Sequence, residues 1–571
     1  DSGTFAPLLP SNPAESPVSW ASLNCGQDPA KTGVPGFVRR KLFGSSGRPM
    51  PDFGHLIGPE EVPIESLRDN PLPSWHPLVI AGIAFVGFLV VFLLLLRIKP
   101  AIGVLLSLLL GGVGYWGGVQ LRAFTPSAIP KYKNPLEAQP FWEHAAANGV
   151  ECLVLDAAQA FDREPVDGAR VLAGLGVPDA RGSVNSIFAY TTDEIAFERE
   201  PTGKDTSSGG TVFRVDERDG KIETNVYGPV NFWRVDRLKQ ELRGVEAELD
   251  SPSVGYKQSL VLQEERKAIQ QRLDDAKDER TKVPMTIERQ GDSARITIDG
   301  HAQTLKEGQW SDWYAMSFEI NPLLHAKAIT RVKLVHLARP HCEPCVNAIE
   351  IDPSAPPFWQ PISQPHAFAS ELFDRVGPYE TVGWACMNLP LKDQVVDAET
   401  FLEDIEFTLK WREAMTFDAL ARDDWRVLVS CFSTPDRVQH MMYQYFDPEH
   451  PLYDAAASAR TMSFFGETIT LADAIPAIYR QVDRLVGRVM DEHLGPNDTL
   501  MVASDHGFQS FRRQVHLNNW LVEKGFMTLK PGLRRSDTDL LRFVDWSQTE
   551  AYSLGLGMVY LNLVGREGDG T

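Results

Sequence analysis

Two short stretches of this chain hold the residue types that bind metal ions. In Ser433-Thr-Pro-Asp436-Arg-Val-Gln-His440, the Asp and His stand four apart, so a helix would put both on one face. Thr434 is expected to cap that helix and Pro435 to take its first position. In Ser504-Asp505-His506-Gly507-Phe508, adjacent Asp505 and His506 lie at a strand-to-loop turn, where Gly507 permits tight backbone geometry. Carboxylate and imidazole donors suit Zn²⁺ and tolerate Mn²⁺. A lone Asp at a helix start is usually a cap, and a lone His usually belongs to a hydrogen-bond network. Two such pairs, each closing an apolar strand, raise the case for metal binding considerably.

The elements that must position these residues can be read from hydrophobic patterning. Glu151–Leu155, Trp425–Phe432 and Asp498–Ala503 read as buried strands. Between the last two, Leu471, Ile475, Ile478, Val482, Leu485 and Val489 mark one face of an amphipathic helix. Strand, helix, strand in that order predicts an α/β fold with a mostly parallel central sheet. Its site lies beyond the carboxyl ends of the strands.

Two insertions interrupt that pattern. Leu78–Leu96 carries no charge and would span roughly 28 Å as a helix. Ala101–Val119 is a second uncharged run, so residues 78–119 predict a transmembrane hairpin in a lipid bilayer. Trp75, Tyr115 and Trp116 suit its interfaces. Arg97 and Lys99 between the spans place that connection in the cytoplasm and the rest of the chain on the non-cytoplasmic side, while Arg122, Lys131 and Lys133 pull the other way. The second insertion is a helical hairpin: Leu238, Leu242, Val245 and Leu249 recur at helical spacing, and Leu262, Ile269 and Leu273 resume it after Ser251–Gly255. It reads as a solvated projection, with partner binding the alternative.

The predicted organisation is an N-terminal part of the main domain (1–70), the membrane hairpin (71–121), the main domain continued (122–233), the helical hairpin (234–283), a cap region (284–420) and the metal-binding core (421–571). With 76 acidic against 56 basic residues, net charge −20, the chain lacks the basic surface of a nucleic-acid binder. Six cysteines are too few for a disulfide-built fold. Cys342 and Cys345 form the one close pair; a redox pair, half a zinc site, a local disulfide and two plain thiols all fit that spacing.

The segment Phe432–His440, with Asp447-Pro-Glu-His-Pro451, Ser504–Phe508 and His516-Leu-Asn-Asn-Trp-Leu521, resembles the type I phosphodiesterase/nucleotide pyrophosphatase family of the alkaline phosphatase superfamily. Phe141–Leu155 and Gly174–Asp179 continue the resemblance, and Asn12–Trp20 is similar to the family's nucleophile segment. The resemblance implies a membrane-anchored, metal-dependent phosphoric ester hydrolase. By that resemblance Asp436 and His440 would hold one divalent ion and Asp505 and His506 a second, and Ser16 would be the nucleophile, bound to the second metal and passing through a phosphoserine. The substrate would be a phosphate ester, either a nucleotide or lipid-linked. It also implies a further Asp on a strand ahead of the nucleophile and a second His for the first metal. Both termini are expected to be trimmed, which accounts for the two gaps. His516 is an alternative ligand, ranked behind a role in positioning its loop.

The family's His-Gly-Ile stands here as Thr32-Gly-Val34, and Gly36 replaces an Asp or Asn, which removes a transition-state donor. A sulfatase is disfavoured, because Ser16-Pro-Val-Ser-Trp20 lacks that class's Pro and Arg. A membrane phospho-group transferase and a non-catalytic subunit retaining the fold, with a protein partner in the membrane, remain the alternatives.

Overall fold

The computed structural model describes residues 3–43, 48–53, 57–66, 76–184, 186–193, 204–205, 210–338, 342–537 and 541–566. Trp75 therefore lies outside the described residues. Helix α1 (Ser16–Cys25) begins after Glu15, whose backbone is still extended at φ −110° and ψ 139°. Pro17 fits the first turn, where an N–H has no helical partner, and Gly26 ends the helix at φ 60°.

Helices α2 (Pro77–Val90) and α3 (Pro100–Phe124) each open on a proline. With its π-helical extension Val91–Leu95, α2 is long and apolar enough to cross a membrane, and so is α3. Small residues let the two backbones close on one another. A Cβ at Gly114 would lie 2.9 Å from Ala84 Cβ, and one at Gly118 would lie 2.9 Å from Pro77 Cα. Leu94, Leu105, Leu109 and Trp116 face outward and are exposed.

Strands β1 (Cys152–Ala157) and β2 (Ala169–Ala173) run parallel in the main sheet. The helical hairpin follows as α4 (Phe232–Leu249) and α5 (Tyr256–Asp278), with Leu238, Val245, Leu262, Ile269 and Leu273 buried along its seam. Its root is tied to the end of the membrane hairpin. Trp233 Nε1 donates to the Ala123 carbonyl at 3.1 Å, and Asp236 accepts from the Ser127 amide at 2.7 Å. An antiparallel sheet of Lys221–Val230, Arg280–Gln290, Ser293–Ile298 and His301–Lys306 lies between. Its buried Val283, Met285 and Ile287 alternate with more open positions, as a sheet with one face on the core requires.

The main sheet is completed by β3 (Ser363–Gln364) and β4 (Val427–Ser430), in the order β3-β2-β1-β4. β4 is parallel to β1, with Ser430 opposite Leu155, while β3 is antiparallel to β2. Helix α6 (Ala398–Leu420) precedes β4; α7 (Thr434–Phe446) follows it; α8 (Ala474–Glu492) buries Ile475, Ile478, Leu485 and Val489. The whole is a mixed α/β structure consistent with an alkaline-phosphatase-like fold.

Three expectations need correction. Asp498–Ala503 is not a strand: it joins no sheet, and Leu500, Met501 and Val502 are exposed. A strand exists through its ladder, and apolar residues alone do not supply the neighbour. β4 is shorter than Trp425–Phe432 and only half-buried, because it pairs with β1 alone and its outer edge meets no strand among the described residues. Finally, Ser433 is the N-cap of α7, so Thr434 and Pro435 each sit one position further into the helix than expected.

Candidate active site

α7 leaves the carboxyl end of β4 and carries Asp436 and His440 on one face, with His440 Nε2 3.5 Å from Asp436 Oδ1. The Ser504–Phe508 turn brings Asp505 and His506 to the same place. His506 Nε2 is 3.8 Å from Asp436 Oδ1 and 3.4 Å from Asp505 Oδ2. From the other end of the chain, Ser16 in the first turn of α1 sets its Oγ 2.9 Å from His506 Nε2. Ser16, Asp436, His440, Asp505 and His506 are therefore linked by pairwise contacts of 3.8 Å or less.

Orientation of the imidazole follows from its second nitrogen. His506 Nδ1 lies 3.0 Å from the Gly507 carbonyl, which can only accept, so Nδ1 carries a proton and Nε2 is the ring nitrogen that faces Ser16. Phe508 packs edge-on against His440, with centroids 4.8 Å apart, and against His506 at 5.3 Å. Arg512 pairs with Asp447 at 2.8 Å and with Glu449 at 2.5 Å, which ties the loop after Phe508 to the end of α7.

The carboxylates are not alike. Asp436 Oδ2 is held by Arg437 Nη1 at 2.5 Å, while Oδ1 is buried without a hydrogen-bond partner. Burial works to raise its pKa, but Arg437, His440 and His506 together hold it below the ordinary value. Asp505 is raised: burial outweighs the pull of His506, and the Asp436 charge adds to the rise. Its Oδ2 is likewise buried and unpartnered. Glu15, ahead of Ser16, is pushed up by burial although the Phe37 amide donates to its Oε2 at 2.6 Å.

These orphaned oxygens test whether the donors fit metal ions. Two buried carboxylate oxygens without donors, beside two imidazoles, match the chemistry of a site for divalent cations. Among the described residues, however, no three His, Cys, Asp or Glu side chains converge into a ready-made cage. Asp436 stands beside His440 and Asp505 beside His506, with His506 also 3.8 Å from Asp436 Oδ1.

Other expectations resolve individually. His516 is exposed at the start of the helix Leu517–Lys524, with no side-chain cap bond. At Gly36 a Cβ would come within 3.1 Å of Glu15 Oε2, so the Asp or Asn of the family pattern would crowd that carboxylate. Cys342 and Cys345 are free, buried thiols, raised by burial to about 11 and about 12. Sequence reasoning missed Arg437 and Trp384, whose ring lies under the Arg437 guanidinium at 3.7 Å. It also missed Arg412, ion-paired with Asp156 beneath the site. Only Arg437, adjacent to Asp436, left a signal.

Comparison with known proteins bears on this arrangement. Residues 333–567 match the model of the type I phosphodiesterase / nucleotide pyrophosphatase family. That match takes in Asp436, His440, Asp505 and His506; Ser16 falls outside it. The phosphodiesterase family suggests a phosphoester hydrolase, and a phosphoester or nucleotide substrate. No curated protein and no solved structure matches the chain.

Proposed function

We propose that this chain is a metal-dependent phosphoric ester hydrolase in which Ser16 attacks phosphorus and carries the phosphoryl group as a phosphoserine. The observation that carries the reading is the 2.9 Å contact between Ser16 Oγ and His506 Nε2, across 490 positions of sequence. In an alkaline-phosphatase-like architecture, Asp436 and His440 would hold one divalent ion, and Asp505, His506 and Ser16 the other, with zinc favoured by the donor set. When bound, such ions supply Lewis-acid stabilisation of the entering and leaving oxygens and lower the pKa of the serine hydroxyl.

The remaining work falls to the chain. Ser16 lies in the first turn of α1, so the positive end of the helix faces the phosphate. A bond forms between Ser16 Oγ and phosphorus as the bond to the leaving oxygen breaks in line, and water later hydrolyses the phosphoserine. Arg97 and Lys99 at the bend of the hairpin favour placing the site on the non-cytoplasmic side of a membrane.

The deciding experiment is the metal content of the chain purified in detergent without chelator. About two zinc or manganese ions per chain are expected, with diester hydrolysis lost on chelation and restored by metal. A chain that binds none, even after supplementation, refutes the metal-dependent reading, and if it also hydrolyses no diester it favours a non-catalytic membrane subunit. The Ser16–His506 contact supports one second reading, with His506 Nε2 as a general base; hydrolysis that survives chelation would favour it.

A further inference from the structure

Arg437 commits Asp436 Oδ2 at 2.5 Å and so leaves Oδ1 to face His440 and His506. The guanidinium that does this is buried, 3% exposed at the side chain, and its Nε has no hydrogen-bond partner. What defines its plane is Trp384, whose ring lies 3.7 Å from the guanidinium carbon.

Trp384 is itself fixed from two sides. Asn388, with its amide oriented to satisfy both partners, accepts from the indole N–H at 2.7 Å and donates to the Cys386 carbonyl at 2.9 Å. Phe37 packs edge-on against the ring, with centroids 5.8 Å apart. The Phe37 amide in turn holds Glu15 Oε2 at 2.6 Å, and Glu15 is the N-cap of the helix that presents Ser16. One indole thus touches both the chain of contacts that orients Asp436 and the one that seats the nucleophile. It also lines a cavity of about 1080 Å³ that reaches His440 and Phe508.

We infer that Trp384 is a positioning residue: it holds Arg437 flat so that Asp436 offers Oδ1 to a divalent cation, and braces Phe37 behind the Ser16 helix. This rests on the hydrolase reading above. Its distinguishing consequence is that loss of the indole face weakens cation binding at Asp436 and His440 without unfolding the chain. Groups that orient a metal ligand typically change metal affinity by about 10–100-fold.

The test uses the full chain in detergent and zinc alone as probe, with affinity read by chelator competition and folding by thermal melting. Trp384→Ala is expected to bind the weaker zinc equivalent about 10-fold less tightly, while Trp384→Phe, which keeps a flat face, recovers to within about threefold of wild type. With bis-p-nitrophenyl phosphate, kcat should fall in the alanine variant while KM holds. Equal zinc affinity in Trp384→Ala and wild type overturns the inference and leaves the hydrolase reading standing. Equal loss in the Ala and Phe variants also overturns it, since a flat aromatic face would then not be what supports cation binding. A wild-type chain that takes up no zinc sinks both.

Discussion

Replacing Ser16 by alanine separates chemistry from folding, because the structure bounds what else the hydroxyl does. Ser16 is 8% exposed, and among the described residues its Oγ makes one side-chain hydrogen bond, with His506 Nε2. Losing a single hydrogen bond of this kind costs about 1 kcal/mol. His506 is not stranded, since Asp505 and Asp436 remain within 3.4 and 3.8 Å and Nδ1 keeps the Gly507 carbonyl. In a chain of this size Tm should therefore drop by about 2 °C or less. Turnover of bis-p-nitrophenyl phosphate should fall about 1000-fold or more, as removal of a nucleophile does elsewhere. Acid-quenched wild-type enzyme should yield a phosphorylated peptide containing Ser16, and the variant none. Undiminished turnover in Ser16→Ala, with the melt unchanged, would remove Ser16 from the mechanism and leave the 2.9 Å contact a packing detail.

Asp156→Ala strands the buried Arg412 guanidinium, which is 3% exposed, and should cost about 3–5 kcal/mol in urea unfolding, whereas a loss under 1 kcal/mol would mean that Arg412 finds another partner. Glu350 and Glu380 are both raised, first by burial and then by a neighbouring carboxylate, Glu380 for the former and Asp404 for the latter. The folded chain thus binds protons that the unfolded chain releases above the ordinary value of 4.5. Their contribution is complete below that pH and is lost as pH rises through neutrality, so Tm should decline over that range and Glu350→Gln should flatten the decline. Gly114→Leu should lower Tm in detergent, since Ala84 blocks its Cβ, while Gly112→Leu, with nothing within 4 Å, should leave it unchanged.

What the sequence made legible follows from how local each signal is. The membrane hairpin needs no partner to be recognised: an unbroken apolar run declares itself. Asp436 and His440 share a face because helix geometry fixes that four residues apart. Leu238 through Leu273 likewise foretell the seam of α4 and α5. Ser16 is different, since nothing local marks a serine after glutamate as a nucleophile, and only the resemblance drew attention to it. Asp498–Ala503 misled because its composition is strand-like while its pairing depends on a neighbour elsewhere. The Arg412–Asp156 pair spans 256 positions, and the Trp384–Arg437 stack joins a turn to a helix 53 positions away, so neither has a periodicity to betray it.

The outer edge of β4 has a consequence for how the molecule behaves in bulk. Among the described residues, β4 presents main-chain donors and acceptors along that edge to no neighbouring strand, and Leu500, Met501 and Val502 expose apolar side chains close in sequence to the site loop. Such an edge is a template for intermolecular strand pairing, and its shortness is what restrains it. Detergent covers the leucines of the hairpin but not backbone groups. Self-association of the purified chain at high concentration should therefore persist in ample detergent and yield to a charged residue placed on that edge.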